Sequence, residues 1–86
     1  QVTIYDEDGL RVCTVDFANR LWKVGIEYDG REHQIDPRRR DRDSLVAIRV
    51  AALGWRVPRI TQGLLRSPRE LVGHIRTAFE QQGWRG

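Results

Sequence analysis

Asp16 is followed, after ten intervening residues, by the run Glu27-Tyr28-Asp29-Gly30-Arg31-Glu32-His33. Two acidic positions are thereby placed near one β-hairpin, with a histidine just past the second. Carboxylates brought together repel unless a positive charge sits between them. A divalent metal is the usual answer, because hard cations take oxygen ligands. In a basic chain, such a metal points to chemistry on a phosphodiester.

The chain is basic through 14 arginines and a single lysine, Lys23, for a net charge of +3 over 86 residues. Forked guanidinium groups favour phosphates; an arginine-rich source genome would produce the same bias. Hydrophobic residues make up 40% and charged residues 31%, the balance of a globular chain rather than a disordered one. The length fits one small domain over 1–86 with a modest core. No apolar run approaches the roughly 20 residues that cross a bilayer, and no signal peptide is visible. A first residue Gln1 in place of methionine points to a processed chain or a fragment of a longer protein. Cys13 is the one cysteine, so it has no internal disulfide partner and no CxxC spacing for zinc. A small buried thiol in a reduced, cytoplasmic compartment is the expectation.

The elements that must position these residues follow from periodicity. Val2 to Tyr5 is β-branched and aromatic and predicts a strand, closed by the turn Asp6-Glu7-Asp8-Gly9. Leu10 to Ala18 predicts a second strand, with Val12, Thr14 and Asp16 on one face and Cys13, Val15 and Phe17 on the other. Trp22 to Asp29 predicts a third. Its face of Trp22, Val24, Ile26 and Tyr28 belongs against a core, and Lys23, Gly25, Glu27 and Asp29 lie opposite.

Asp36-Pro37 is a helix start, and Leu45, Ile48 and Ala52, with Leu53 nearby, set the helix's apolar spacing; Gly54 stops it. Trp55 to Ile60 predicts a fourth strand, which Pro58 argues out of a central place because it cannot donate to the ladder. Ser67-Pro68-Arg69-Glu70 combines a capping serine, a first-turn proline and a capping-box glutamate, ahead of the stripe Leu71, Ile75, Ala78 and Phe79; Gly83 ends that helix. The expected order is βββαβα, an α/β fold with a three-stranded antiparallel meander. With a four-residue loop Asn19–Trp22, opposed residues sum to 41. Asp16 then faces Gly25, and Glu27 is its diagonal neighbour at roughly 7–8 Å.

Val15-Asp16-Phe17-Ala18, then Val24-Gly25-Ile26-Glu27-Tyr28-Asp29-Gly30 and His33, resembles the very-short-patch-repair-like (Vsr-like) branch of the PD-(D/E)XK nuclease superfamily. Leu53-Gly54-Trp55-Arg56-Val57 and Arg59-Ile60-Thr61 are similar to a later pattern of that branch. The resemblance implies a restriction-endonuclease-like core lacking its first helix. It implies Mg²⁺, with Mn²⁺ as a substitute, held by Asp16, Glu27 and the carbonyl of Tyr28. Such a metal polarises the scissile phosphate and lowers the pKa of an attacking water. Asp29 stands where the superfamily often carries lysine, as a further ligand or an orienter. His33 is then the candidate general base or transition-state stabiliser. The chain departs from the pattern in the absent first helix, in Pro58, and in Val46 where a basic residue is expected.

Nucleic-acid contacts are expected from Arg31, from Arg38-Arg39-Arg40 with Arg42, and from Lys23 reaching a phosphate. Each has a plainer reading. The arginine run is equally a solvated face neutralised by Asp36, Asp41 and Asp43, although cations in a first helical turn oppose the dipole. His74 reads as structural or exposed, Trp22 and Trp55 as core, and Trp84 as loosely packed. The leading expectation is a metal-dependent endonuclease domain acting on DNA, with RNA also open and no membrane partner. The alternative is a catalytically inactive nucleic-acid-binding or protein-interaction module of the same fold, as in the C-terminal part of a toxin–antitoxin or phage-defence protein. A purely structural scaffold is the third reading. The remainder of a longer chain, or a second subunit, would supply the missing helix.

Overall fold

The computed structural model describes residues 1–29 and 37–86. The chain is mixed α/β. The first strand, β1 (Val2–Tyr5), pairs antiparallel with β2 (Arg11–Val15) in the register Val2↔Val15, Thr3↔Thr14 and Ile4↔Cys13. The turn between them is built by Asp6, whose Oδ1 accepts the amides of Asp8 and Leu10, both at 2.9 Å. Gly9 supplies the left-handed residue at φ +78°.

One long second strand was expected here, and the chain makes two. It bends at Asp16, and β3 (Phe17–Asn19) begins a different sheet, in which it pairs antiparallel with β4 (Val24–Asp29). The β1–β2 register shifts between Ile4↔Cys13 and Tyr5↔Arg11, which leaves Val12 as the extra residue and lets Val12 and Val15 both be buried; beyond the bend, Phe17 is exposed. The register also differs from expectation. Phe17 faces Ile26, Ala18 faces Gly25 and Asn19 faces Val24, so opposed residues sum to 43. The connection is Arg20 to Lys23, shifted one residue along. Asn19 Oδ1 accepts the Trp22 amide at 3.0 Å, and Lys23 takes the left-handed conformation at φ 54°. Lys23 is therefore a turn residue, not a member of the Gly25–Glu27 face.

The helix α1 (Pro37–Ala52) crosses over to β5 (Arg59–Thr61), which runs parallel to β4 with Glu27↔Arg59, Tyr28↔Ile60 and Asp29↔Thr61. The ladder begins earlier, at a Val24↔Arg56 bridge, and then lapses. Arg56 exchanges both backbone bonds with β4, through the Lys23 carbonyl at 2.9 Å and the Gly25 amide at 2.8 Å. Pro58 can only accept, from the Glu27 amide at 3.3 Å, because it has no N–H. The sheet order β3-β4-β5 puts this proline on an edge strand, where the rule against central prolines allows it. A short helix, α2 (Gln62–Leu65), follows, capped by Thr61 Oγ1 on the Leu64 amide. The last element is α3 (Pro68–Gln81), which starts at Pro68 as expected. Ser67 makes no side-chain cap, so the capping box does not form. Gly54 and Gly83, at φ +86° and +100°, end α1 and α3.

The core joins Ile4, Val12 and Val15 of the first hairpin to Val50 of α1 and to Trp55, with Val46, Leu53 and Val57 packed around them. Leu45, Ile48 and Ala52 of α1 are exposed, contrary to the expected apolar face. Val46 and Val50 face the core instead, which also accounts for Val46 where a basic residue was anticipated. The larger side chains lose because the helix meets the sheet through its narrow valine stripe, where backbones approach closely. Gly25 is part of the same approach: a Cβ there would stand 3.3 Å from Val57 Cγ2 and 3.4 Å from Val15 Cγ2. The expected open space at Gly25 is filled by valine methyls.

At the far end, Gln82 Nε2 reaches the carbonyls of Trp22, Lys23 and Gly54 at 3.0, 3.2 and 2.6 Å, tying α3 to the β3–β4 turn and to the end of α1. Trp84 is packed, edge-on to Phe79 at 6.0 Å between centroids and beneath Arg76 at 5.7 Å.

Two substitutions test this packing. Ile4→Ala removes a fully buried side chain and is expected to cost about 2–5 kcal/mol in urea unfolding, whereas the same change at exposed Ile48 stays within about 0.5 kcal/mol. Gly25→Val overfills the space between Val15 and Val57 and is expected to cost about 1–3 kcal/mol by the same measurement.

Candidate functional site

The bend at Asp16 sets its carboxylate against β4. The Asp16 amide donates to the Ile26 carbonyl at 3.0 Å, one residue short of the 43 register, so the β3–β4 ladder slips there. The Asp16 carboxylate then takes up the next amide of β4: Oδ2 accepts from the Tyr28 N–H at 2.8 Å. That bond fixes an exposed carboxylate against the strand segment carrying Glu27 and Asp29. Asp16 thus meets β4 directly, rather than across a diagonal. Its Oδ1 has no partner among the described residues.

Glu27 is half-buried and faces a cleft of about 650 Å³ between α1, the segment Trp55–Arg59 and α3. Asp16 does not line this cleft. The Glu27 carboxylate makes no hydrogen bond or ion pair with any described residue. Its ladder neighbour Arg59 stands near Asp43, with a guanidinium–carboxylate distance of 4.0 Å. Among the described residues there is no group of three or more His, Cys, Asp and Glu side chains that could hold a metal. Two carboxylates and backbone oxygen are the donors on offer.

Cys13 also lines the cleft. Burial pushes its thiol above the ordinary value of 9.0, the negative charge of Glu27 pushes the same way, and Arg11 opposes them. The thiol therefore keeps its proton at neutral pH; Cys13 is half-buried, short of the buried thiol expected.

The remaining expected site residues divide. Arg31 and His33 lie outside the described residues, as do the side chains of Asp29, Arg39 and Arg40. Arg38 and Arg42 are exposed on α1 and do not line the cleft. Lys23 is engaged elsewhere: its ammonium donates to the Leu53 carbonyl at 3.1 Å, at the C-terminal end of α1, where a cation complements the helix dipole. Four residues of extended strand, about 13 Å, separate its Cα from that of Glu27. Tyr28 contributes its amide to Asp16, and its ring is exposed.

Sequence reasoning missed the cleft itself. Its helical walls include Asp43, Val46 and Val50 on α1, and His74, Thr77, Ala78 and Gln81 on α3. The α3 wall recurs at i, i+3, i+4 and i+7, but three of its four residues are polar and exposed, so no apolar stripe signalled it. No helix among the described residues is long and apolar enough to cross a membrane. Comparison of the chain with protein-family models, with curated proteins and with solved structures finds no match.

The Cys13 environment makes a pH prediction. A thiol whose pKa is raised by folding contributes stability that is complete below the unfolded value of 9.0 and is lost as pH rises through the folded value. Urea unfolding above pH 9.0 should therefore show a steeper loss of stability in the wild type than in Cys13→Ala, with parallel behaviour below it.

Proposed function

We propose that this chain is a metal-dependent nuclease-like domain that hydrolyses phosphodiester bonds in DNA, with Asp16 and Glu27 as its metal-holding carboxylates. One observation carries the reading: the Tyr28 amide tethers one oxygen of Asp16 beside a half-buried Glu27 whose carboxylate has no partner among the described residues. A carboxylate that faces an open cleft without a hydrogen bond or ion pair to a described residue is accessible to a cation. The donor set is hard oxygen, which suits Mg²⁺; that ion is usually held by one or two carboxylates and keeps several waters. Bound there, Mg²⁺ would polarise a phosphate oxygen and lower the pKa of its water. Asp16 and Glu27 hold the cation, and the Asp16–Tyr28 bond orients the first of them. Roles for the Tyr28 carbonyl and Asp29 as further ligands, and for His33 as general base, rest on the Vsr-like resemblance alone, as do those of Arg31, Arg39 and Arg40 at the nucleic acid.

A second reading is a catalytically inactive nucleic-acid-binding or protein-interaction module of the same fold. It is favoured by Lys23. The chain's single lysine serves the end of α1, so no lysine is available to the reacting phosphate.

Calorimetric titration with Mn²⁺ and a plasmid-nicking assay separate the two. The nuclease reading predicts Mn²⁺ binding that disappears in both Asp16→Asn and Glu27→Gln, with nicking lowered at least about tenfold in each. Folded wild-type protein that binds no Mn²⁺ leaves only the inactive module.

A further inference from the structure

We infer that the cleft containing Glu27 takes a single nucleic-acid strand rather than a duplex, with Arg56 gripping its phosphates. The inference rests on the proposed nuclease reading and names its substrate class. Glu27, one of the two proposed metal-holding carboxylates, opens into a space of about 650 Å³ walled by helices on both sides. That is the scale of a site for one small ligand or a few atoms of a flexible chain. A duplex presents its phosphates on a rigid outer surface and reaches into no such recess; enzymes whose reactive atoms lie in a pocket act on single strands or extrude a nucleotide.

The lining suits a nucleotide. Val50, Val57 and Ala78 offer an apolar floor for a base, and Thr77 and Gln81 place polar groups along the α3 wall. Arg56 is exposed, lines the cleft, and its guanidinium makes no hydrogen bond or ion pair with a described residue. The backbone adds a donor. Arg56 and Pro58 direct their bonds toward β4, so the alternation of a parallel ladder turns the Val57 N–H to the open edge of the sheet, where it has no partner among the described residues. An outward amide beside an arginine is a pair of phosphate donors. Arg38, Arg42 and Arg49 of α1 do not line this cleft. Single-strand grooves combine this kind of basic backbone contact with apolar faces for bases.

The test is fluorescence anisotropy in EDTA, with a short mixed-sequence DNA oligonucleotide offered single-stranded and as its duplex. EDTA removes the metal, so binding is read without cleavage. The single strand should bind at least about tenfold tighter than the duplex. Arg56→Ala should weaken single-strand binding several-fold and lower the slope of log affinity against log salt by about 0.7. Arg20→Ala, an exposed change in the β3–β4 turn, should alter neither. Equal or tighter binding of the duplex, an unchanged salt slope in Arg56→Ala, or no binding of the single strand would each overturn the inference. Mn²⁺ titration of the same protein without EDTA reports on the proposed carboxylates separately, so a failed strand preference with intact Mn²⁺ binding sinks this inference and leaves the nuclease reading standing.

Discussion

Asp16 is where one sheet stops and another starts, and the bond from the Tyr28 amide to its carboxylate holds the joint. A strand of the first hairpin cannot continue into the second sheet without a turn in direction, and a turn leaves ladder groups without their regular partners. Here the Asp16 amide slips onto the Ile26 carbonyl, and its side chain replaces the backbone acceptor for Tyr28. The bend sends Val15 into the core beside Gly25 and lets β3 pair with β4. The same contact that permits the fold therefore sets a carboxylate against β4. A structural role and the proposed chemical role coincide in one residue, so Asp16→Asn is the informative change: it keeps a side-chain acceptor for the amide while removing the charge.

The second constraint is the close approach around β4. Val24 and Gly25 are both buried, so the strand is covered on its two faces at this point. Close packing there leaves little latitude for large side chains, and α1 docks through Val46 and Val50. Toward the other end of β4 the packing opens. Glu27 emerges into the space between the two long helices, along the edge strand that Pro58 interrupts. The cleft follows from an edge strand that is short, broken and flanked by helices. Such edges are protected from pairing with other chains, and here the protection also creates a recess with polar walls.

Much of this was legible in the residues and some was not. Gly9, Gly54 and Gly83 end their elements because only glycine enters the left-handed region without cost, and that is a local property. Pro58 announced an edge position for an equally local reason. The pairing of Asp16 with the Glu27 strand was readable on the condition of a four-residue loop, which the chain makes one residue further along. The bend was not: Leu10 to Ala18 alternates well enough for one strand, and the break depends on how two sheets pack. The inward face of α1 was misread because the helix carries two apolar stripes, Leu45–Ile48–Ala52 and Val46–Val50, and size favoured the one that tertiary packing leaves outside. Lys23 was assigned to a strand face because its positive φ is a demand of the turn, not of the residue. The cleft needed helices distant in sequence to meet, which no local pattern reports.

The central claim is that Asp16 and Glu27 act together as a cation site at the bend. Its most direct test is paramagnetic broadening of backbone amide resonances by Mn²⁺ at substoichiometric concentration, observed by NMR. The account predicts that the amides of Phe17, Glu27 and Tyr28 broaden first and that the effect vanishes in Glu27→Gln. Broadening centred on the acidic turn at Asp6 to Asp8, with Tyr28 untouched, would contradict it.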